Sequence, residues 1–382
     1  MADVVVVGGG VIGLSVAYEL AGQGAAVTIL EQSQFGQEAS WAGAGILHPG
    51  NLALATSPNA KLRALSFSYW KSLSEQLKNQ TGVDNGFLNC GAIQLGTSSE
   101  DLLLAEFGEW QREGVEAEWL NLASIAGYEP ALAPRFRYGL RLPQLHQVRN
   151  PRHLKALYRG CQSRGVQLIP GTPVIDWEVQ HGRVHSVQVM TDAERYFGDH
   201  FVITAGAWSN RLLLRANCWS AITPVRGQMV LLNTQQRLIQ HVIEVGPRYV
   251  VPRNDGRILI GSTEEWVGFD KRNTADGVCS LLEFGQSIVP SLKDATLERC
   301  WAGLRPRSLT GIPLIDRVPD HQNLFVATGH FRSGLQLSPA TGLLVRQLIL
   351  GQPLSISLAA FGFDAHVSAS EQVEGRSKDA ST

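Results

Sequence analysis

The chain has 382 residues, 44% of them hydrophobic, with 33 Lys and Arg against 34 Asp and Glu for a formal charge of -1. That length supports a large core and two domains, and the balanced charge recommends neither nucleic acid nor an anionic membrane as partner. Cys90, Cys161, Cys218, Cys279 and Cys300 show no CxxC or Cys/His spacing that builds a zinc site, so no metal is expected and the cysteines read as thiols of a reducing compartment. With no basic signal start and no long apolar span, the expected location is the cytoplasm, without a membrane anchor.

The chain opens on VVVVGGGVIGLSVAYELAGQGAAVTILE. Val4 to Val7 have no polar alternation, which predicts a strand buried on both faces within a parallel sheet. Ile12, Val16, Ala17 and Leu20 recur at helical spacing until Gly22 and Gly24, and AAVTIL supplies the next strand, ending at Glu31. Gly8, Gly10 and Gly13 thus lie between strand and helix, and Glu31 follows Gly13 by 18 residues, as in a dinucleotide-binding βαβ unit. Gly8 permits the tight turn, Gly10 lets backbone approach a pyrophosphate, and Gly13 lets the helix pack on the strand. The helix N-terminus favours phosphate. Glu31 is placed to accept from both ribose hydroxyls and to repel a 2′-phosphate, which disfavours NADP. A ligand-free βαβ turn is the competing reading.

Residues 34–50, QFGQEASWAGAGILHPG, are too rich in Gly, Ala and Ser for a packed helix. Ala39, Ser40, Gly43, Ala44 and Gly45 are the positions where main chain can lie along a flat ligand, a surface loop being the alternative. Residues 51–149 carry a helical pattern, KLRALSFSYWKSLSEQL, and a strand-like GFLNCGAIQLG. HFVITAGAWSN then predicts a strand from Phe201 to Thr204 that ends at Ala205-Gly206. Residues 216–319 alternate short β-rich runs (GQMVLLN, HVIEVG, RYVVPR, RILIGST), which predicts a sheet roofing the ligand. NLFVATGHFRSG predicts a last strand, Leu324 to Thr328, ending at Gly329. Carboxyl ends of such strands are where open α/β sheets bind ligands. Ser338-Pro339 reads as an N-cap and N1 pair opening a helix through Leu343, Leu344 and Leu348. Its positive end would either face a bound ring or merely cover the sheet.

The expected fold is therefore α/β with two domains: a Rossmann-like nucleotide-binding domain from residues 1–50, 150–215 and 320–363, and an interleaved antiparallel-sheet substrate domain from 51–149 and 216–319. Residues 364–382 are polar, small and aperiodic, and are expected to be a flexible tail.

VVVVGGGVIGLSVAYELAGQG, ASWAGAGIL, VVPR, GRILIGST, CWAGLRPRSLTGIPLID and ATGHFRSGLQLSPATG together resemble the D-amino-acid oxidase family of flavoproteins, and within it the branch that oxidises glycine for thiamine biosynthesis. The resemblance implies FAD and oxidative deamination of glycine, sarcosine or small D-amino acids by hydride transfer to flavin N5. Oxygen would be the acceptor, with imine or glyoxylate, ammonia and hydrogen peroxide as products; it also implies a homo-oligomer. Carried over by position, Val11, Ile12, Glu31, Gln32, Ala39, Ser40, Ala44, Gly45 and Ile46 contact FAD with Gly8, Gly10, Gly13 and Gly206. Val174 meets the adenine end, and His330, Phe331, Arg332, Ser333, Gly334, Leu335 and Gln336 border the isoalloxazine. Arg305 matches the carboxylate-binding arginine, Tyr249 the tyrosine that assists it, and Arg332 the arginine beside the amine. Cys300 does not coincide with the cysteine that tethers flavin in sarcosine oxidases, so FAD is expected to be non-covalent.

On the residues alone, Arg305 reads as a surface or ion-paired arginine and Tyr249 as a strand aromatic. His48 and His330 stay outside the catalytic set. Trp41, Trp208, Trp266 and Trp301 read as packing rather than flavin-stacking residues. Two other readings remain: an NAD-dependent dehydrogenase, which explains only the opening unit, and a nucleotide-binding subunit without catalysis.

Overall fold

The computed structural model describes residues 2–96, 100–190 and 195–366. Of the predicted tail, all beyond residue 366 lies outside the described residues, and His366 itself is buried. Among the described residues, two eight-stranded sheets and one three-stranded sheet organise the chain.

In the first sheet Ala2–Val7 pairs in parallel with Val27–Leu30 on one side and Arg195–Ile203 on the other. Gln167–Ile169 and Leu324–Thr328 extend it outward, again in parallel. Val4 and Val6 pack into a core with Leu14, Ala17 and Leu343 of the covering helices. Val5 and Val7 pack into a second core with Trp177, Phe201 and Leu213. Cover on both faces is the reason this strand carries no polar alternation.

Two helices converge on this sheet's carboxyl edge, Val11–Ala21 and Gly334–Ile349. They cross closely: a Cβ on Gly342 would sit 2.8 Å from the Ser15 carbonyl oxygen. The second helix corrects the Ser338-Pro339 start, because it begins five residues earlier, with Ser333 before its first turn, and carries Pro339 inside it. Proline there lacks an N–H and opens the ladder behind it. The Leu335 carbonyl it frees accepts from Ser338 Oγ at 2.9 Å, and the next carbonyl, Gln336 O, accepts from Trp70 Nε1 of another helix at 2.9 Å. Trp70 belongs to the helix Pro58–Thr81, which is capped by Ser57 Oγ accepting from Ala60 N–H and closed by Gly82 at φ +70°.

The second sheet runs Thr296–Ser308, Ile222–Asn233, Arg257–Gly261, Arg248–Pro252, Val242–Val245, Ala92–Leu95, Tyr138–Leu142, Glu118–Asn121. Its pairs are antiparallel, save that Val242–Val245 and Ala92–Leu95 run parallel. One face buries Val230, Ile243, Val245, Val250 and Ile260 with Leu281 of the helix Ala275–Ile288. Strand alternation turns Glu244 and Tyr249 to the other face, toward the first sheet.

Residues 34–50 also depart from expectation. A single helical turn, Ala39–Ala42, packs on the Thr296–Ser308 strand. A Cβ on Gly303 would lie 2.6 Å from Ala42 Cβ, and Trp301 Nε1 donates to Ala42 O at 3.1 Å. The small residues that argue against a long helix are what let one turn approach the sheet so closely.

Candidate active site

Between the two sheets lies a cavity of about 620 Å³. All the site residues expected from sequence line it except Gly13. Gly13 acts from behind: a Cβ there would be 1.9 Å from Gly8 O and 2.7 Å from Thr204 Oγ1. Gly8 has φ +116°, and its Cβ would meet Thr204 O at 2.6 Å, so no other residue fits the turn. Ser40 Oγ accepts from Val11 N–H at 2.9 Å and joins residues 34–50 to the helix start. The Glu31 carboxylate accepts from Gly9 N–H at 2.7 Å and Ser33 N–H at 2.9 Å. It therefore braces the turn as well as facing the cavity edge, a task the sequence reading missed.

At the middle of the cavity the N-terminal turn of Gly334–Ile349 carries neither a side-chain cap nor an acidic residue, so its free N–H groups and positive dipole end are available to a ligand. Across from it the Ala44 carbonyl is held by Arg253 Nη2 at 2.7 Å. Arg253 is buried, also donates to Val148 O at 3.1 Å, and has its pKa pushed down to about 10 by burial. Nothing in the sequence around RYVVPR singles it out. His330 Nε2 lies 3.0 Å from Thr341 Oγ1, and burial lowers its pKa to about 3, so the ring is neutral.

The far end is built on the second sheet. Arg305 donates to Ser262 Oγ at 2.6 Å and Thr263 O at 3.0 Å, and burial pulls its pKa below the usual arginine range. Among the described residues no carboxylate lies within ion-pair distance of it. Its guanidinium rests over Gly227 of the neighbouring strand, where a Cβ would sit 2.0 Å from Nη2. Gly227 lines the cavity, and sequence reading did not find it. Tyr249 Oη donates to Met229 Sδ at 3.4 Å. Arg332 lines the cavity while its guanidinium pairs with Glu264 at 3.4 Å and donates to Pro247 O.

His48, set aside on sequence, and Glu244, passed over, form a pair in the cavity wall: His48 Nε2 is 3.0 and 3.1 Å from the two Glu244 oxygens. Gln94 Nε2 donates to Glu244 Oε2 at 3.1 Å, and Gln336 Nε2 donates to His48 O at 3.0 Å. Burial alone would lower the His48 pKa, but the Glu244 charge and hydrogen bond raise it; Glu244 is held below the usual range by the same partner against its own burial. The partners are 196 residues apart, so no local signal could pair them.

Trp41 and Trp301 pack edge to face at 5.2 Å, and of the four tryptophans Trp208 lines the cavity. Trp266 corrects the packing expectation: it is 61% exposed. All five cysteines are free and none lines the cavity; Cys300 packs against the core beneath the second sheet. Among the described residues no cluster of three or more His, Cys, Asp or Glu could hold a metal ion, and no helix is long and apolar enough to cross a membrane.

A glycine turn at a strand end, two helix N-termini on one cavity, and a roofing sheet that carries a half-buried arginine without a carboxylate partner define a dinucleotide-dependent oxidoreductase. Residues 3–348 match the family "DAO: FAD dependent oxidoreductase", and the chain belongs to that family. It is 36% identical to the glycine oxidase of Pseudomonas putida over 91% of this chain and 94% of that one. It is 33% identical to the bifunctional protein ThiO/ThiG of a Nostoc species, over 94% of this chain and 54% of the longer relative. The crystal structure of glycine oxidase from Geobacillus kaustophilus superposes with a TM-score of 0.90 at 33% identity, covering 94% of this chain and 98% of that one. The protein is an FAD-dependent amino-acid oxidase. The residues present suit FAD: Gly8 and Gly13 hold a turn no Cβ would allow, and the cavity runs from Glu31 to Arg305. This removes the NAD-dependent reading.

Proposed function

We infer that the enzyme oxidises glycine, with sarcosine and small D-amino acids as secondary substrates, and that the product supplies the thiazole moiety of thiamine. The observation that carries the substrate class is Arg305: a half-buried guanidinium without a carboxylate partner, at the end of a cofactor cavity, is completed by a ligand carboxylate. Two parallel N–H···O bonds to that carboxylate fix its plane, a geometry lysine cannot reproduce. Tyr249 Oη is positioned beside it as a further donor. With the acid end fixed, the amine turns toward the backbone around Arg332 and one Cα hydrogen faces the cofactor side.

When bound, FAD would supply the hydride acceptor for the Cα–H bond, with oxygen as the final acceptor and hydrogen peroxide as its product. His330 is neutral and hydrogen-bonded away, in keeping with a reaction that needs no dedicated base. Glycine, oxygen and water give glyoxylate, ammonia and hydrogen peroxide, so atoms and electrons balance. The preference for glycine, and the link to thiamine, are supported by the names of the relatives.

Peroxide release measured on glycine, sarcosine, D-alanine and D-proline tests the substrate reading. Arg305→Ala is expected to cost about 2–5 kcal/mol of transition-state stabilisation on glycine; unchanged kinetics would remove its assigned role. No described cysteine lines the cavity, which supports a non-covalently held FAD. Acid precipitation is expected to leave the chromophore in the supernatant, and a yellow pellet would contradict this.

A further inference from the structure

The reading above leaves the His48–Glu244 pair without a task, although both residues line the cavity. Its place in the sheet gives it one. Glu244 lies directly opposite Tyr249 in the antiparallel pairing, Tyr249 opposite Gly261, and Gln94 flanks Glu244 on the other side. Arg305 is anchored on Ser262 and Thr263, at the end of the Gly261 strand. The guanidinium lies between that strand end and Gly227 of the next strand, so the carboxylate clamp and Glu244 stand two to three strands apart, roughly 10–14 Å between backbones at ordinary strand spacing. Two hydrogen bonds of about 2.9 Å each, the short acid-to-amine span of an α-amino acid and the length of the glutamate side chain together are of that order.

The chemistry agrees with the spacing. His48 and Gln94 both direct their contacts to Glu244, which fixes the carboxylate and leaves acceptor capacity on Oε1. A half-buried, oriented acceptor facing a bound amino acid meets an N–H donor favourably. A methyl group in the same place removes a donor and packs against a desolvated charge pair.

We propose that Glu244, positioned by His48, receives an N–H of the substrate amine and makes the enzyme selective for primary over N-alkylated amino acids. The proposal rests on the reading that the substrate carboxylate sits on Arg305. One amine hydrogen is given to the backbone around Arg332 and another to Glu244. His48 is a positioning residue in this scheme, and Glu244 sets specificity.

The test is kcat/KM for glycine, sarcosine and N,N-dimethylglycine, measured on the flavin-loaded wild type, Glu244→Gln and Glu244→Leu. Wild type is expected to fall in that order, by about tenfold for the first methyl, the worth of one hydrogen bond to a charged group. Glu244→Leu is expected to move the sarcosine-to-glycine ratio about tenfold toward sarcosine, and the near-isosteric Glu244→Gln to move it the same way by less. A change of ratio between two substrates is not produced by a general loss of folding. If the leucine variant fails to hold flavin, the glutamine variant decides. A ratio within about twofold of wild type in the variants that hold flavin, or a wild type that prefers sarcosine, overturns the proposal. A wild type active on glycine with an indifferent Arg305→Ala overturns the carboxylate reading and this one with it, whereas an active, Arg305-dependent wild type with an unmoved ratio overturns this one alone.

Discussion

Replacing Gly227 by alanine is expected to disable the substrate clamp while sparing the fold. Gly227 lies opposite Gly303 on the strand that also pairs Val225 with Arg305. A Cβ added at 227 would stand 2.0 Å from Arg305 Nη2, 2.1 Å from Cζ and 2.2 Å from Nη1. Each distance is far inside van der Waals contact, so one group must yield. The guanidinium is the free end of a flexible side chain, whereas the Gly227 backbone is held in a ladder extending from Ile222 to Asn233. The side chain therefore moves, leaving its bonds to Ser262 Oγ at 2.6 Å and Thr263 O at 3.0 Å. Loss of a buried charge-assisted pair costs about 2–5 kcal/mol. A displaced rather than deleted arginine belongs at the lower end, which is about a 30- to 100-fold drop in kcat/KM for glycine. Peroxide release gives the rate, and the flavin spectrum and melting temperature report the fold. A variant with intact flavin content, unchanged melting temperature and kcat/KM within about twofold of wild type would refute the reasoning.

Trp70→Ala is expected to cost about 3–5 kcal/mol in urea denaturation, because the indole is fully buried between helices. Trp70→Phe keeps most of the apolar contact and loses only the bond to Gln336 O, about 1 kcal/mol; a phenylalanine variant as stable as wild type would show that the indole N–H does not support the opened helix at Pro339. His153 is buried against Trp70, and burial lowers its pKa from 6.5 to about 3. The unfolded chain thus takes up this proton first as pH falls, so stability is lost from pH 6.5 down toward about 3, by up to about 1.4 kcal/mol per pH unit. His153→Phe is expected to flatten that slope between about pH 6 and about pH 4, and an unchanged slope in denaturant titrations would exclude His153 as its source.

The opening unit was legible because its signals are local. Four consecutive valines require cover on both faces, and Gly8 and Gly13 stand where a Cβ would strike backbone a few residues or one strand away. The late strand Leu324–Thr328 was readable for the same reason, a β-branched and aromatic run stopped by glycine. The Ser338-Pro339 reading failed because a local rule, proline at the first helical position, was outweighed by groups from another helix that satisfy the opened ladder. Arg305 and Tyr249 were found through resemblance; their own neighbourhoods in sequence allow a surface arginine and an ordinary strand aromatic.

By itself, then, the sequence determined where backbone must turn, which strands lie inside the sheet, and which nucleotide chemistry the first 31 residues serve. Only the tertiary structure decided that Gly227 clears room for Arg305, that Arg253 holds Ala44, and that His48 meets Glu244 across 196 residues. Steric limits on a backbone are written within a few residues, whereas a buried charge gains its meaning from whichever distant group the fold sets beside it.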